Sequence, residues 1–489
     1  MKKIAIIGSG IAGLAAAIRL RNSGYNVKVF EANSYPGGKL SQVQLGAYRF
    51  DAGPSLFTMP HFVDEIFKDA GKKPTDYFSY LRKEIICKYY YEDGTRFTAF
   101  ADEQKFAWHA SEVFNTSSKE ITNYLEKNKK KYDLTASLFL EKSLHKLKTY
   151  LTGQTLKAVA NLGSLDVFST LNEVNEKAFS DPRLVQLFNR FATYNGSSPY
   201  LTPGIMSMIP HLEQHFGTFF PKKGMHHITM SLYKLAEEMG VDFYFEHEVE
   251  KIEVENRKTK GIIVNGKFHD ADIVVSNMDV VPTYRKLLKS ESAPEKILKQ
   301  KRSSSALIFY WGMKKEFPEL DLHNIFFSKN YNEEFKAIFE DQTVYEDPTV
   351  YINITSKEKK DDAPEGCETW FVMINVPGNT GQDWEKITRQ SRQHIIHKLS
   401  RLLNSDIEEF IEVEAILNPI SIERKTRSYQ GSLYGAASNN KFAAFLRHPN
   451  FSQRIENLYF CGGSVHPGGG IPLCLLSGKI VSELIDRKN

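Results

Sequence analysis

Cysteine is scarce in this chain of 489 residues, which contains four. They are Cys87, Cys367, Cys461 and Cys474, and no two of them have the C-x-x-C spacing of metal-ligating or redox pairs. The sequence therefore indicates neither a disulfide framework nor a zinc site, and we expect no metal centre. This cysteine usage fits a reducing compartment such as the cytoplasm.

Long apolar runs and a large net charge are also missing. No uninterrupted apolar segment reaches the roughly 18 residues that a membrane-spanning helix needs, so we expect any membrane contact to be peripheral. We predict no signal peptide at the N-terminus, because its apolar stretch contains three glycines and continues into a second strand pattern. The net charge of +4 is too small over this length to suggest nucleic-acid binding.

Aromatic residues, by contrast, are plentiful. The chain has 33 phenylalanines and 23 tyrosines, which are the side chains that line pockets for large apolar ligands. The same side chains also fill ordinary protein cores, and composition does not separate the two uses.

The first 31 residues carry the clearest local pattern. Residues 2–7 form a short apolar run rich in isoleucine, which is typical of a buried parallel strand. Residues 14–20 are good helix formers, and residues 25–30 alternate as a second strand that Glu31 closes. Between the first strand and the helix stands the sequence G-S-G-I-A-G. This arrangement predicts the dinucleotide-binding βαβ unit in its full context.

Each residue of this motif has a physical task. Gly8 permits a tight turn, Gly10 allows the backbone to approach a pyrophosphate, and Gly13 lets helix and strand pack closely. The helix N-terminus offers N–H groups and a positive dipole to phosphates. The Glu31 carboxylate can accept hydrogen bonds from a ribose 2′-OH, and its charge would repel the 2′-phosphate of NADP. The alternative, a glycine-rich turn without a ligand, would require all these features to coincide by chance.

The pattern changes several times along the remaining chain. Most of residues 60–215 reads as helical, and an α/β pattern that continues the first sheet returns at about residue 219. A second sheet that could form a pocket wall is predicted between residues 285 and 450, and a strand that runs into glycines and a helix close the chain. The strands predicted in these parts are residues 85–91, 95–100, 241–245, 248–254, 260–264, 272–277, 304–312, 349–354, 369–375 and 457–460.

Two charged stretches have simple interpretations. Residues 127–151 combine a basic run with apolar residues at helical spacing, which fits a helix at a lipid interface or, more commonly, a surface helix on its own core. Residues 357–362 read as a solvated loop.

A polar turn follows a predicted helix at residues 188–199. It places Arg190 and Tyr194 near a helix end, where they could face a ligand or could anchor the helix.

Taken together, seven motifs resemble the flavin-dependent carotenoid desaturases of the bacterial phytoene-dehydrogenase type, which are relatives of the amine oxidases. The motifs follow one another in the expected order over nearly the whole chain, and the last of them looks like the C-terminal signature of that family. The matching segments are residues 8–13, Glu31, 36–39, 51–54, 221–225, 271–277 and 466–472.

The resemblance implies an α/β fold. It would comprise a discontinuous Rossmann-like FAD-binding domain and an inserted α+β substrate domain with a mixed sheet and a helical cap. FAD would be bound non-covalently. The implied boundaries are residues 1–75, 216–285 and 451–489 for the FAD-binding domain, and residues 76–215 and 286–450 for the substrate domain.

The resemblance also implies the site residues. Arg190 and Tyr194 are the candidates for polar groups at the substrate mouth or the reaction centre. The expected cofactor-binding residues are Gly8, Gly10, Ile11, Ala12, Gly13, Glu31, Ala32, Gly38, Lys39, Gly53, Pro54, Ser55, Val249, Gly463, Ser464, Gly470, Ile471 and Pro472.

Within the family, residues 190–199 look closest to hydroxycarotenoid 3,4-desaturases. The implied reaction introduces a C–C double bond that extends the polyene of a 1-hydroxy carotenoid. A hydride would pass to flavin N5 and a proton would leave the neighbouring carbon. This chemistry needs positioning more than it needs a nucleophile, which agrees with the absence of a triad motif.

Three alternatives remain at this stage. They are a phytoene or other carotene desaturase, a flavin amine oxidase, and a non-catalytic carotenoid or lipid carrier that retains FAD. For the desaturase we expect a carotenoid substrate drawn from a lipid surface, no nucleic-acid partner, and a cytoplasmic protein peripherally associated with the cytoplasmic membrane.

Overall fold

The opening βαβ unit is present in the computed structural model, which describes residues 1–139, 145, 165–440 and 447–488. Strand β1 (Lys3–Ile7) is followed by helix α1 (Ile11–Asn22) and strand β2 (Asn26–Phe30). The alternation of side chains along β1 buries both of its faces, because Ile4 and Ile6 pack into one hydrophobic cluster and Ala5 and Ile7 into another.

The remaining elements follow in chain order. The strands are β3 (Ser41–Leu45), β4 (Tyr48–Ala52), β5 (Tyr80–Arg82), β6 (Ile85–Tyr90), β7 (Arg96–Phe100), β8 (Phe219–Pro221), β9 (Asp242–Tyr244), β10 (Val249–Glu255), β11 (Lys258–Val264), β12 (Lys267–Asp270), β13 (Ile273–Ser276), β14 (Ser305–Met313), β15 (His323–Phe326), β16 (Val350–Asn353), β17 (Glu368–Val376), β18 (Ile411–Leu417) and β19 (Leu458–Phe460). The helices are α2 (His61–Asp69), α3 (Glu103–Val113), α4 (Ser118–Phe139), α5 (Leu171–Ala178), α6 (Pro182–Asn189), α7 (Pro210–Gln214), α8 (His226–Glu238), α9 (Val280–Pro282), α10 (Glu295–Leu298), α11 (Tyr331–Lys336), α12 (Trp384–Leu403), α13 (Ile407–Phe410), α14 (Pro419–Thr426) and α15 (Ile471–Asp486).

A five-stranded parallel sheet surrounds β1. Its strand order is β19-β13-β1-β2-β9, so segments from the beginning, the middle and the end of the sequence meet in one sheet. The register places Ile4 beside Val27 on one side and beside Ile273 on the other. Helices α1 and α15 pack together on this sheet, and Gly478 of α15 is where they touch most closely, because an added Cβ there would lie 2.8 Å from the Ala12 carbonyl oxygen.

A seven-stranded mixed sheet forms the second layer, in the order β18-β14-β17-β16-β15-β6-β7. Neighbouring strands are antiparallel except β15 and β6, which run parallel. Strand β14 is buried along its whole length, with Phe309 and Trp311 in the same hydrophobic cluster as helix α12, and Ile308 and Tyr310 on the opposite face. The predicted fold class, a Rossmann-like α/β part with a mixed sheet, is confirmed.

A helical layer built from α3 to α7 lies against β6, β7 and β15. Its core contains Phe106, Tyr124, Phe179 and Phe188, whose rings contact one another. None of the helices in the described ranges combines the length and the apolar character that a bilayer span requires.

The basic stretch that begins at residue 127 lies only partly within the described residues, because residues 140–144 and 146–164 are outside them. In the described part, Lys127, Lys129 and Lys130 are exposed. Lys131 is buried and binds Asp166 and the Ser207 hydroxyl, so one member of the basic run belongs to the interior of the protein.

The interpretation of residues 357–362 as a solvated loop is wrong for Asp362. This carboxylate is fully buried and accepts hydrogen bonds from Thr355 Oγ1 at 2.6 Å and Lys359 Nζ at 2.8 Å, and it pairs with Arg49. The local sequence does not reveal this burial, because the partner Arg49 is more than 300 positions away.

Candidate functional site

A cavity of about 1230 Å³ has residues of both large sheets in its wall. Its lining includes Gly8, Gly10 and Glu31 of the opening βαβ unit. It also includes Ile308, Tyr310 and Phe371 of the seven-stranded sheet. Every residue predicted for the site lines this cavity except Gly13. The residues brought together are Gly8, Gly10, Ile11, Ala12, Glu31, Ala32, Gly38, Lys39, Gly53, Pro54, Ser55, Arg190, Tyr194, Val249, Gly463, Ser464, Gly470, Ile471 and Pro472.

The first glycine-rich turn brings the backbone close to the cavity. Gly8 has φ +93°, a conformation that favours glycine, and Gly10 precedes α1 without any side-chain cap. The first N–H groups of α1 therefore remain available to a ligand at its N-terminus. Gly13 lies one turn further on, where an added Cβ would lie 2.4 Å from the Gly8 carbonyl oxygen. It acts in packing and does not line the cavity.

Glu31 stands at the carboxyl end of β2, buried and bordering the cavity. Its carboxylate accepts hydrogen bonds from Ser9 N and Ser9 Oγ, both at 2.8 Å, and from Asn33 N and Asn33 Nδ2, both at 2.9 Å. The carboxylate thus ties the glycine-rich turn to the end of β2. A ribose hydroxyl that binds Glu31 would compete with the Ser9 hydroxyl, which can rotate away.

A second helix N-terminus reaches the same cavity from the other end of the sequence. Helix α15 begins after Gly470, which has φ +106° and provides no side-chain cap. Gly463 approaches the backbone of the same segment, since a Cβ on it would lie 3.2 Å from Gly469 Cα. Two helix dipoles with their positive ends at one cavity make a site for anionic groups.

Lys39 adds a positive charge to this part of the cavity. Its ammonium group donates to the carbonyl oxygens of Ser432 at 2.9 Å and Leu433 at 2.8 Å, which joins the segment after β2 to a loop near the end of the chain. Desolvation lowers the pKa of Lys39 to about 8, although Asp279 opposes the shift. An anion beside this lysine would favour its charged form.

Arg190 and Tyr194 lie on a 3-10 turn, Arg190–Asn195, that follows helix α6. The guanidinium of Arg190 is buried and pairs with Glu213 at 3.1 Å. It also lies over the rings of Phe191 at 4.2 Å and Tyr194 at 5.5 Å. The charge of Arg190 is therefore compensated within the cavity wall. Glu213 is a residue that the sequence analysis missed, because nothing local marks it as the partner of Arg190.

Three further polar side chains form a hydrogen-bonded chain in the cavity wall. The Ser55 and Tyr351 hydroxyl oxygens are 2.8 Å apart, and the Tyr351 oxygen is 2.7 Å from His323 Nδ1. Burial lowers the pKa of His323 to about 3, so its ring is neutral. Ser55 was predicted to belong to the site; Tyr351 and His323 were not, because each is an isolated polar residue in a strand pattern.

The thiols near the cavity have no nucleophilic character. Burial raises the pKa of Cys87 to about 12 and that of Cys474 to about 11. The remaining wall on the side of the seven-stranded sheet is largely apolar. It includes Ile308, Ile325, Phe371, Met373, Ala415 and Leu417.

A family model described as flavin containing amine oxidoreductase matches residues 11–486. The chain belongs to this family. A 1-hydroxycarotenoid 3,4-desaturase from Flavobacterium sp. (strain P99-3) is 59% identical over 489 residues, which cover 100% of both chains. A 4,4'-diapolycopene oxygenase from Methylomonas sp is 32% identical over 99% of this chain and 98% of that relative.

Solved structures share the fold of this flavin oxidoreductase. An oxidoreductase from Methanosarcina mazei has a TM-score of 0.65 at 16% identity and covers 98% of this chain and 100% of its own. A redesigned putrescine oxidase has a TM-score of 0.66 at 14% identity and covers 100% of this chain and 99% of its own. The predicted family and the predicted cofactor, FAD, are confirmed, and the chain is an FAD-dependent oxidoreductase.

The residues of the cavity fit this cofactor. Two helix N-termini and Lys39 offer positive potential to a pyrophosphate. Gly10 also packs closely against Asn277, since a Cβ on it would lie 2.7 Å from Asn277 Oδ1, so no larger residue fits at this turn. The cavity continues past this anion-binding part to the apolar wall, which can hold a second, apolar molecule.

Proposed function

We propose that this flavoenzyme is a carotenoid desaturase that introduces the 3,4 double bond of a 1-hydroxy carotenoid. The observation that carries the proposal is the 59% identity to a 1-hydroxycarotenoid 3,4-desaturase over the full length of both chains. The cavity supports it, because an anion-binding part and an apolar part are continuous.

FAD, when bound, accepts a hydride from the substrate carbon. The task of the protein is then to hold the reacting C–C bond in place and to keep water away. The wall of Ile308, Phe371 and Met373 suits both needs, since it is apolar and belongs to a buried sheet. The conjugated chain of a carotenoid spreads developing positive charge over many carbons, so the wall needs no compensating anion at the reaction centre.

We propose that Arg190 and Tyr194 shape the substrate part of the cavity. The ion pair with Glu213 and the aromatic contacts hold the Arg190 side chain against the wall, and the half-buried Tyr194 ring borders the cavity beside it. In this proposal the two residues position the substrate. A net charge from an unpaired Arg190 would repel a developing carbocation, and Glu213 removes that charge.

The cofactor would be held by residues from both ends of the chain. Gly8, Gly10, Ile11 and Ala12 at the start of α1, and Gly470 to Pro472 at the start of α15, would contact the pyrophosphate region together with Lys39. Glu31 would bind the adenosine ribose, and the other expected contacts are Ala32, Gly38, Gly53, Pro54, Ser55, Val249, Gly463 and Ser464.

The proposed domain division accompanies this assignment. Residues 1–75, 216–285 and 451–489 would form the FAD-binding domain, and residues 76–215 and 286–450 the substrate domain. In support, the five parallel strands come from the first three segments and the seven strands of the mixed sheet from the other two.

Anaerobic reduction of the flavin tests the function directly. Purified holoenzyme mixed with a 1-hydroxy carotenoid is expected to bleach its oxidised-flavin absorbance and to yield a carotenoid with red-shifted bands. The same experiment with phytoene and with polyamines provides the comparison. Bleaching by phytoene alone would favour the carotene desaturase, bleaching by polyamines would favour an amine oxidase, and no bleaching by any of them would favour a carrier.

A carotenoid dissolves in lipid, and for this reason we propose that the protein works at a membrane surface. The exposed Lys129 and Lys130 offer positive charge to anionic lipids, whereas the neighbouring Lys127 pairs with Asp166 at 3.1 Å. Flotation with acidic vesicles at low salt tests the contact. Charge reversal at Lys129 and Lys130 is expected to reduce flotation, whereas the same reversal at the exposed Lys258 and Lys267 is expected to leave it unchanged.

A further inference from the structure

The hydrogen-bonded chain of Ser55, Tyr351 and His323 has a direction that depends on the tautomer of His323. All three residues border the cavity, and the two links measure 2.8 Å and 2.7 Å. At each link either oxygen or nitrogen could in principle be the donor. The direction therefore depends on where the protons lie, and the contact of Asn353 with His323 bears on this.

The amide nitrogen of Asn353 identifies the lone pair of His323. Asn353 Nδ2 donates to the Leu322 carbonyl oxygen at 2.9 Å, and a carbonyl oxygen can only accept, so the amide orientation is settled. The same Nδ2 contacts His323 Nδ1 at 3.3 Å. An amide NH₂ can only donate, so this contact is a hydrogen bond in the tautomer whose Nδ1 is unprotonated. That tautomer carries its proton on Nε2, a buried nitrogen with no hydrogen-bond partner among the described residues. The Asn353 contact favours this tautomer.

The rest of the chain follows from this tautomer. Tyr351 must donate its hydroxyl proton to His323 Nδ1, because that nitrogen has none to give. The Tyr351 oxygen then accepts the hydroxyl proton of Ser55. Burial raises the pKa of Tyr351, which keeps its proton in place for this donation. What Ser55 can still offer to the cavity is the lone-pair side of its oxygen, which accepts hydrogen bonds.

We propose that Ser55 Oγ accepts the hydrogen bond of the substrate's terminal hydroxyl group and thereby selects a free hydroxyl over a methyl ether or a plain hydrocarbon end. The inference rests on the proposed function and adds the residue that recognises the end group. A methyl ether oxygen has no proton, so it would face the Ser55 oxygen lone pair to lone pair. A hydrocarbon end would leave that oxygen without a partner.

The position of Ser55 agrees with this role. In a 1-hydroxy carotenoid the hydroxyl oxygen is only three bonds from C3, so its recognition site must lie beside the reacting bond. Ser55 is two residues after Gly53, whose Cβ would lie 2.0 Å from the Lys39 carbonyl oxygen. Ser55 is itself among the residues that we expect to contact the cofactor, so an acceptor at Ser55 Oγ would lie where substrate and cofactor meet.

Ligand binding to the reduced holoenzyme tests the inference without turnover. The probes are a 1-hydroxy carotenoid, its 1-methyl ether and the corresponding carotenoid without oxygen, each titrated anaerobically. The wild type is expected to bind the hydroxy compound about tenfold more tightly than the other two, which is the value of one good hydrogen bond.

Three variants separate the roles. Ser55→Ala is expected to abolish the preference for the hydroxy compound. In Tyr351→Phe the Ser55 hydroxyl loses its acceptor and can donate its hydrogen bond to the ligand instead. The ether oxygen can accept that hydrogen bond, so the ether is expected to bind as tightly as the hydroxy compound. Tyr310→Phe is the matched control: Tyr310 borders the same cavity, and its hydroxyl has no hydrogen-bond partner among the described residues, so the preference is expected to persist.

The ¹⁵N chemical shifts of His323 provide a readout that is independent of any carotenoid. They are expected to show Nδ1 unprotonated in the wild type. A protonated Nδ1 would reverse the chain and overturn the inference, as would an unchanged preference in Ser55→Ala or a lost preference in Tyr310→Phe. If the wild type desaturates its substrate but binds the hydroxylated and the plain carotenoid with equal affinity, the inference fails while the proposed function stands. If the wild type binds no carotenoid, both fail.

Discussion

Several buried charges in this protein are compensated by ion pairs. Arg190 pairs with Glu213, Arg302 with Asp279 at 2.6 Å, and Arg49 with Asp51 at 2.6 Å. Asp51 also accepts from the backbone N–H groups of Met225 and His226, at the start of α8. Removal of one member of such a pair leaves the other charged and unpaired in the interior, which costs more than the pair itself contributes.

The Arg190–Glu213 pair offers a test of positioning against a purely structural role. Arg190→Met is expected to lower the free energy of unfolding by about 3–5 kcal/mol, because Glu213 is left buried and unpaired. The double variant Arg190→Met with Glu213→Leu is expected to recover much of that loss. Denaturant unfolding measures both, and Arg285→Met, which breaks an exposed pair with Glu295, is expected to cost no more than about 1 kcal/mol.

Activity of the double variant then decides the role of Arg190. If the stable double variant desaturates its substrate at the wild-type rate, Arg190 only maintains the wall. A stable double variant with a lowered kcat supports the positioning role that we propose, and a raised KM with an unchanged kcat would indicate a role in binding alone.

At the scale of single residues, the sequence predicts those site residues whose role depends only on their neighbours in the chain. The glycine turns could be found because the φ values and close contacts that they need are properties of a few neighbouring residues. Glu213, Tyr351 and His323 could not be found in this way, because their roles in the cavity wall depend on partners that only folding brings together. The same holds for Asp362, which reads as a surface charge until Arg49 is placed beside it.

At the scale of elements, the contact between α1 and α15 holds the two ends of the cofactor cradle together. Small residues on α1 allow the approach, and Gly478 completes it, with an added Cβ only 3.0 Å from Ala15 Cβ. Each helix presents its N-terminus to the cavity, so the spacing between the helices sets the spacing between their positive ends.

Enlarging Gly478 should therefore affect both stability and flavin content. Gly478→Val is expected to destabilise the protein by about 1–3 kcal/mol, and Gly478→Ala by less, because better helix propensity offsets part of the clash. Thermal unfolding and the flavin-to-protein absorbance ratio measure the two effects. Glu483→Val, at a partly exposed position of the same helix, is the control and is expected to keep its flavin. Full flavin content in Gly478→Val would contradict this view of α15.

Element types were predictable where periodicity is strong. The strands predicted in the second sheet at residues 304–312, 349–354 and 369–375 are present as β14, β16 and β17. Their pairing was not predictable. The parallel contact of β15 with β6, for example, joins residues more than 200 positions apart, and no local pattern encodes that register.

At the scale of the whole molecule, the cofactor cavity is a property of the assembled chain. The parallel sheet draws strands from three distant segments, and Lys39 joins the first of them to the loop at Ser432 and Leu433. A ligand that contacts all of these parts binds only the folded chain and so stabilises it.

Addition of FAD to flavin-depleted protein is expected to raise the thermal midpoint. At a concentration a hundred times Kd the gain is about 2.7 kcal/mol. Riboflavin at the same concentration is the control, and a smaller shift is expected because it lacks the pyrophosphate that the two helix N-termini and Lys39 would bind. Equal shifts with both compounds would show that the phosphates contribute nothing.

The lowered pKa of Lys39 also has a practical consequence for anyone who purifies this enzyme. A lysine with a pKa of about 8 loses its charge in mildly alkaline buffer, and a phosphate prefers the charged form. FAD affinity is thus expected to fall as the pH rises above 8, and Lys39→Gln, which cannot titrate, is expected to lack that part of the pH dependence. Dialysis at pH 9 would then be the gentle route to colourless apoprotein, and storage near neutrality would keep the preparation yellow.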